Sequence, residues 1–111
     1  MKIRVSELAG AKLDYWVAKA EGEEPALTSG GMPVCVIKVK PAEWTYSPST
    51  LWEQGGPLVE KHRVSVSWFD FGNAWISTDK KCKVQLGQTP LEAICRAVVS
   101  SVYGEEVEDE N

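Results

Sequence analysis

A chain of 111 residues, 43% hydrophobic and 25% charged, has the balance of a globular protein with room for one core. That balance excludes a mostly disordered chain, a collagen-like repeat and a disulfide-packed miniprotein, and no apolar run approaches membrane-spanning length. The net charge of −4 belongs to the C-terminal end: Glu105, Glu106, Glu108, Asp109 and Glu110 hold five of the 16 acidic residues, and the remainder is nearly neutral.

Lys2 to Val5 alternates polar and apolar residues and predicts a short extended lead-in. Leu13, Trp16, Val17 and Ala20 recur at helical spacing and predict a first helix over about residues 8–21, stopped at Gly22. Asp14, Lys19 and Glu21 fall on its wet side. Glu23 to Gly31 reads as a loop. Val34 to Lys40 is rich in β-branched residues, ends at Pro41 and predicts a strand. Both faces of that strand are apolar at its start, which calls for cover on each side of a sheet.

Pro41 to Gly56 is irregular. Ser49 or Thr50 can cap a short helical turn, Leu51 to Gln54, which Gly55, Gly56 and Pro57 should end. Leu58-Val59 is a brief apolar step. Val64, Val66 and Trp68 alternate with serines as a half-buried strand, Asp70 to Asn73 turns, and Ala74 to Thr78 returns. Asp79-Lys80-Lys81 turns again before a third antiparallel strand over Cys82, Val84 and Leu86. The final helix has the fullest set of signals. Thr89 is its N-cap, Pro90 its first residue, and Leu91, Ile94, Cys95, Val98, Val99 and Val102 make one apolar stripe ending at Gly104.

Together these elements predict an α+β fold: a three-layer helix–sheet–helix sandwich with a small, mainly antiparallel sheet of about four strands and two main amphipathic helices. Residues 1–104 form the expected single domain, and 105–111 a solvated, partly frayed acidic tail.

Few residues suggest catalysis. Among the motifs sought there is no nucleophile elbow, phosphate loop or paired metal-binding histidine sequence. His62 is the single histidine, and in an extended segment it would share a face with Glu60. Asp14, Asp70 and Asp79 read as a solvated helix face and two turn residues. Cys35, Cys82 and Cys95 lie among apolar neighbours and read as small core hydrophobes; their spacing with His62 matches no zinc pattern. No metal or other cofactor is expected. Lys80, Lys81 and Lys83 are the densest basic cluster, too small to track a phosphate backbone, so nucleic acid is not indicated. The start of the chain leads into no long apolar stretch, and the cytoplasm is the expected location, with thiols reduced.

Aromatic residues are the more informative set. Five tryptophans are a heavy load for this length, and the indole N–H needs a partner when buried. Trp16 and Trp68 lie on apolar faces and are assigned to the core. Trp44, Tyr46 and Trp52 lie with Ser47, Ser49 and Thr50 in the irregular stretch. They are either a loop pinned by its own aromatics or an amphipathic patch that receives a partner.

Three stretches carry a family resemblance: Leu13-Asp14-Tyr15-Trp16-Val17-Ala18-Lys19-Ala20; Tyr46-Ser47-Pro48-Ser49-Thr50 through Trp52 to Gly55-Gly56-Pro57-Leu58-Val59-Glu60; and Thr89-Pro90-Leu91 with Ala93-Ile94-Cys95-Arg96-Ala97. Their order and spacing resemble the NinX-like phage and prophage proteins, small proteins of unknown function described as α/β/α sandwiches. The resemblance implies a phage or prophage origin and a three-layer fold, and brings no catalytic residue. Leu51 departs from it, because the group often has an acidic residue there. The expected function is that of a non-enzymatic accessory protein that binds a host or phage protein through Trp44, Tyr46, Ser47, Ser49, Thr50 and Trp52. A small-ligand or nucleotide-processing protein using His62, Glu60 and the hydroxyls of residues 47–50 is the alternative. A homodimer held by an exposed sheet face or edge is a further expectation.

Overall fold

The computed structural model describes residues 1–39 and 42–108. β1 (Lys2–Arg4) leads through one 3-10 turn, Val5–Glu7, to α1 (Gly10–Ala20). β2 (Pro25–Leu27), β3 (Cys35–Val39) and β4 (Ala42–Thr45) follow. α2 (Trp52–His62) separates them from β5 (Ser65–Phe69), β6 (Ala74–Thr78) and β7 (Val84–Gly87), and α3 (Pro90–Tyr103) precedes β8 (Glu106–Glu108). Lys40 and Pro41, where the first main strand was expected to end, lie outside the described residues, as do Asp109, Glu110 and Asn111 of the acidic end.

The expected sandwich of one sheet between two helices does not form. Three helices pack with three small antiparallel sheets, ordered β1-β8, β2-β3-β4 and β5-β6-β7. The reason lies at β3. Both of its edges are taken by neighbours along the chain: Pro25–Leu27, expected as loop, pairs on one side, and Ala42–Thr45, expected as irregular, pairs on the other. A strand with two occupied edges cannot join the β5–β7 meander, so the two sheets stay separate.

The second correction is α2. The predicted turn ending at Gly55 runs on as a helix through Gly55, Gly56 and Pro57 to His62. Two glycines and an interior proline cost a helix several kcal/mol in propensity, on the order of 1 for each glycine and 3 for the proline. Tertiary contact supplies the compensation. Gly55 sits where the helix meets Pro48 and α3, so closely that a Cβ there would lie 2.3 Å from the Pro48 carbonyl oxygen and 2.7 Å from Leu91 Cδ2. Leu58, read as part of a short apolar step, is buried on the same helix. The helix ends at Arg63, in the left-handed region at φ 56°.

α3 follows its sequence signals. Thr89 Oγ1 accepts from the Glu92 amide at 3.1 Å, and Gly104 follows the last turn. Leu91, Ile94, Cys95, Val98 and Val99 are buried, while Val102, assigned to the same stripe, is 48% exposed. The helix touches α1, α2, β5, β6, β7, β8 and the 3-10 turn, and is therefore the centre of the core. Leu13 and Val17 of α1, Leu58 of α2, and Val5, Leu8, Val64 and Val107 close around it. Val107 belongs to the acidic end. Its strand pairs with β1 in the register Ile3↔Val107, so the described part of that end is ordered structure, against the expected frayed tail. One buried apolar residue between two exposed glutamates docks it, together with the Val5 amide donating to the Glu105 carbonyl at 2.8 Å and the N-terminal ammonium 3.0 Å from Glu108 Oε1.

Candidate functional site

The segment from Thr45 to Trp52 links β4 to α2 and is held by polar contacts from three elements. Tyr46 continues the β3 ladder, its amide donating to the Cys35 carbonyl at 2.9 Å. Gln54, one turn into α2, reaches back: its Oε1 accepts from the Ser47 amide at 2.6 Å, and its Nε2 donates to the Thr45 carbonyl at 3.2 Å. The Ser47 carbonyl accepts from the amides of Thr50 and Leu51 at 3.1 and 2.9 Å. Pro48 is fully buried beneath this turn.

The deepest contact is with α1. The Ser49 amide donates to Asp14 Oδ1 at 2.8 Å, and both residues are buried. Asp14 was expected on a solvated helix face, yet only 4% of it is exposed. Burial raises its carboxyl above the ordinary value, and the hydrogen bond from Ser49 only partly offsets that rise. Asp14 stands near Cys35, Cys95 and Tyr46. Burial, with Asp14 adding repulsion, pushes the Cys35 thiol up to about 12 and raises Cys95 as well. The Tyr46 phenol is raised by burial first, then by Glu21, Cys95, Glu23 and Asp14. None of these groups is activated as a nucleophile, since the thiolate and phenolate forms are disfavoured.

The six residues of the expected patch therefore divide. Trp44, Thr50 and Trp52 face solvent, with Trp44 60% and Trp52 56% exposed. Tyr46 and Ser47 are half-buried, Tyr46 packing against the core, and Ser49 is buried. Asp14 and Gln54 organise the segment and were not singled out in the sequence for that role. A signal existed for Asp14: it stands with Ala18 at i, i+4 and with Val17 at i, i+3, both buried in α1. Gln54 had none, because its part depends on the helix continuing.

A second cluster joins the C-terminal ends of α1 and α2. Glu21 Oε2 lies 2.6 Å from His62 Nε2, and Glu21 Oε1 lies 2.8 Å from Lys61 Nζ. The expected His62–Glu60 pairing does not arise, because residues 60 and 62 of a helix point to different sides. Burial raises the Glu21 carboxyl, but the hydrogen bonds and charges of Lys61 and His62 outweigh it and hold the group below its ordinary value.

Other expectations are corrected here. Trp68 is 46% exposed, not core, and its Nε1 donates to Asp70 Oδ1. Trp16 is half-buried against the core, edge-on to Tyr103 at 5.4 Å between ring centroids. Cys35 and Cys95 are buried as expected, but Cys82 is exposed. Asp79 fills its turn role: its Oδ1 accepts from the Lys81 and Lys83 amides at 2.8 and 3.0 Å. Among the described residues, no helix is long and apolar enough to cross a membrane.

The three stretches that suggested a family now have places in the fold: α1, the 46–60 segment with α2, and the first turns of α3. The family described as Bacteriophage P22, NinX matches residues 4–101. The chain belongs to that family. No curated protein matches it. The NinX match spans every element from the 3-10 turn to the last turns of α3, so the segment holding Trp44 and Trp52 and the Asp14–Ser49 contact are both inside it. The departure at Leu51 gains a structural meaning. Leu51 is the N-cap of α2 and supplies no side-chain cap bond, so the acidic residue that NinX-like proteins often have there would occupy a capping position.

Proposed function

We propose that this chain is a non-enzymatic phage protein that acts by binding a host or phage protein through the rim formed by Trp44, Thr50 and Trp52. One observation carries the reading. Two tryptophans more than half exposed flank a segment whose backbone is fixed by Gln54, Asp14 and the Pro48–Gly55 contact. Large aromatics on a rigid support give contact area at little entropic cost, which is the makeup of binding hot spots. Tyr46, Ser47 and Ser49 support this rim rather than touch the partner. The buried, unactivated cysteines and tyrosine are consistent with binding rather than chemistry. The alternative ligand reading draws on His62, Glu60 and the hydroxyls of residues 47–50, which the fold does not gather: His62 faces Glu21 and Ser49 is buried.

The test is capture of a partner from phage-infected cells by the purified chain, with nuclease present. The double variant Trp44→Ala, Trp52→Ala should keep its circular dichroism spectrum and melting temperature, because both side chains are exposed, and should lose a stoichiometric protein partner. Capture that survives the double variant rejects the rim as the contact surface.

A further inference from the structure

We propose that two copies of this chain pair edge to edge through β5, Ser65–Phe69, joining their β5-β6-β7 sheets across a two-fold axis at Ser67. The inference is independent of the Trp44 and Trp52 rim. β5 bonds to β6 on one side, and among the described residues no backbone hydrogen bond reaches its other side. Exposed edges are templates for strand pairing unless they are blunted by charge, proline or cover.

The other edges are blunted. β2 contains Pro25 and β4 contains Glu43. β1 carries Lys2 and Arg4, and β8 carries Glu106 and Glu108. β7 is bridged by Arg96, whose Nη1 donates to the Leu86 carbonyl at 2.7 Å while its Nε donates to the Leu8 carbonyl at 3.0 Å. β5 reads Ser-Val-Ser-Trp-Phe, with no charge and no proline.

The register identifies which backbone groups point outward. The Asp79 amide donates to the Lys83 carbonyl at 3.0 Å, so Trp75, Ser77 and Asp79 turn their backbone groups toward β7. Ala74, Ile76 and Thr78 then turn theirs toward Phe69, Ser67 and Ser65. Val66 and Trp68 are left presenting N–H and C=O at the free edge. Two-fold pairing at Ser67 sets Val66 opposite Trp68 of the second copy, and each such pair exchanges both of its backbone hydrogen bonds.

Side chains select the second copy as the occupant. Val66 packs against the core, while Trp68, on the same face and edge-on to Trp75 at 5.5 Å, stays 46% exposed. Pairing lays Val66 of the second copy beside that open ring, an aromatic–β-branched cross-strand pair. Charge agrees. Arg63 precedes β5 and Asp70 follows it, both exposed. Antiparallel self-pairing about Ser67 sets Arg63 opposite Phe71 and Asp70 opposite Val64 of the second copy, so no like charges meet, whereas an in-register parallel arrangement would set Arg63 against Arg63 and Asp70 against Asp70.

Sedimentation of the full chain tests this. A species of twice 12.2 kDa is expected as concentration rises. Ser67→Lys, which puts like charges face to face on the axis, should raise the dissociation constant about fivefold or more. A monomer at every concentration, or a dimer indifferent to Ser67→Lys, overturns the proposal. Should that variant fail to fold, cross-linking decides. In a Cys82→Ser background, Ser67→Cys should form an intermolecular disulfide under mild oxidation much faster than the exposed control Thr50→Cys, because residues directly opposite in a non-hydrogen-bonded pair lie within disulfide reach. Equal rates for the two reject the pairing.

Discussion

α3 and α2 are helices of the same molecule built on opposite terms. α3 has eight buried residues, a side-chain N-cap and contacts with α1, α2, the whole β5-β6-β7 sheet, β8 and the 3-10 turn. α2 has two buried residues, no side-chain cap, two glycines and an interior proline. The first carries its start and its apolar stripe in its own sequence and organises the core. The second exists because its surroundings fit it: Pro48 and Leu91 close on Gly55, and Gln54 ties its first turn to β4. The contrast teaches that the rim carrying Trp44 and Trp52 depends on the weaker helix, so its shape is set by a few tertiary contacts.

The largest expected effect breaks the strong side. Ile94 is fully buried at the centre of α3. Ile94→Ala should cost about 2–5 kcal/mol of unfolding free energy in a urea titration, lost in one cooperative transition, because no other element can keep its core without α3. Separate transitions for the two ends of the chain would contradict that central role.

The next separates two adjacent glycines of α2. Alanine favours a helix interior over glycine by about 1 kcal/mol. At Gly56 an added methyl would lie 3.5 Å from Trp52 Cε3, ordinary contact, but the ring of Pro57 disfavours a side chain on the preceding helical residue, so the two effects oppose and Gly56→Ala should change stability by less than about 1 kcal/mol. At Gly55 the methyl would overlap the Pro48 carbonyl, a backbone atom that cannot swing away. Gly55→Ala should therefore destabilise by about 1–3 kcal/mol in the same titration. Equal and favourable effects at both positions would show that the Pro48–Gly55 approach does not constrain the helix.

Those two glycines also mark how far the sequence could be read. Where local preference and tertiary environment agree, the elements were legible: Thr89, Pro90 and the apolar stripe announce α3, and Ala74–Thr78 falls where alternation and turns put it. Where they disagree, the sequence pointed the other way. Gly55-Gly56-Pro57 reads as a stop, and only the proximity of Pro48 and Leu91 explains why a helix without a side chain at that point is required. The single-sheet expectation failed for a related reason. Nothing local in Pro25–Leu27 or Ala42–Thr45 shows that both will close on β3. At the candidate site the aromatic segment was legible from composition, but its division into rim and support was not. That division depends on Asp14, which sits among charged and aromatic neighbours in the sequence and against Ser49 in space.

Asp14 offers the third prediction, of intermediate size. Asp14→Ala leaves the Ser49 amide buried without its acceptor and should cost about 1–3 kcal/mol. Asp14→Asn keeps an acceptor oxygen and discards the charge that burial disfavours. The sign of the pH effect follows from the raised carboxyl. Above 3.8 the unfolded chain releases this proton while the folded chain still holds it, so the group's contribution to stability falls as pH rises through its elevated value. Asp14→Asn should be at least as stable as the parent at neutral pH, and the difference should close in acid. A loss as large as that of Asp14→Ala would mean that the charge itself is needed to hold the 46–51 segment.

The smallest effect is at Glu21, where α1 and α2 meet by their C-terminal ends. A carboxylate at a helix C-terminus opposes the helix dipole, so its presence there needs a local cause. Lys61 and His62 provide it, and they serve the dipole of α2 at the same time. The pairing thus fastens α1 to the dependent helix at the end opposite Gly55. Because Glu21 is held below its ordinary value, the stability it contributes is present above about 4.5, the ordinary value, and is lost as pH falls toward the folded one. Glu21→Gln should lower the midpoint of urea unfolding at pH 7 and should match the parent once the carboxyl of both folded and unfolded chains is protonated. Lys61 is largely exposed and contributes little, so Lys61→Gln should leave most of the effect in place. If Lys61→Gln instead removed all of it, the link between the helices would be the exposed ion pair and not the half-buried contact with His62.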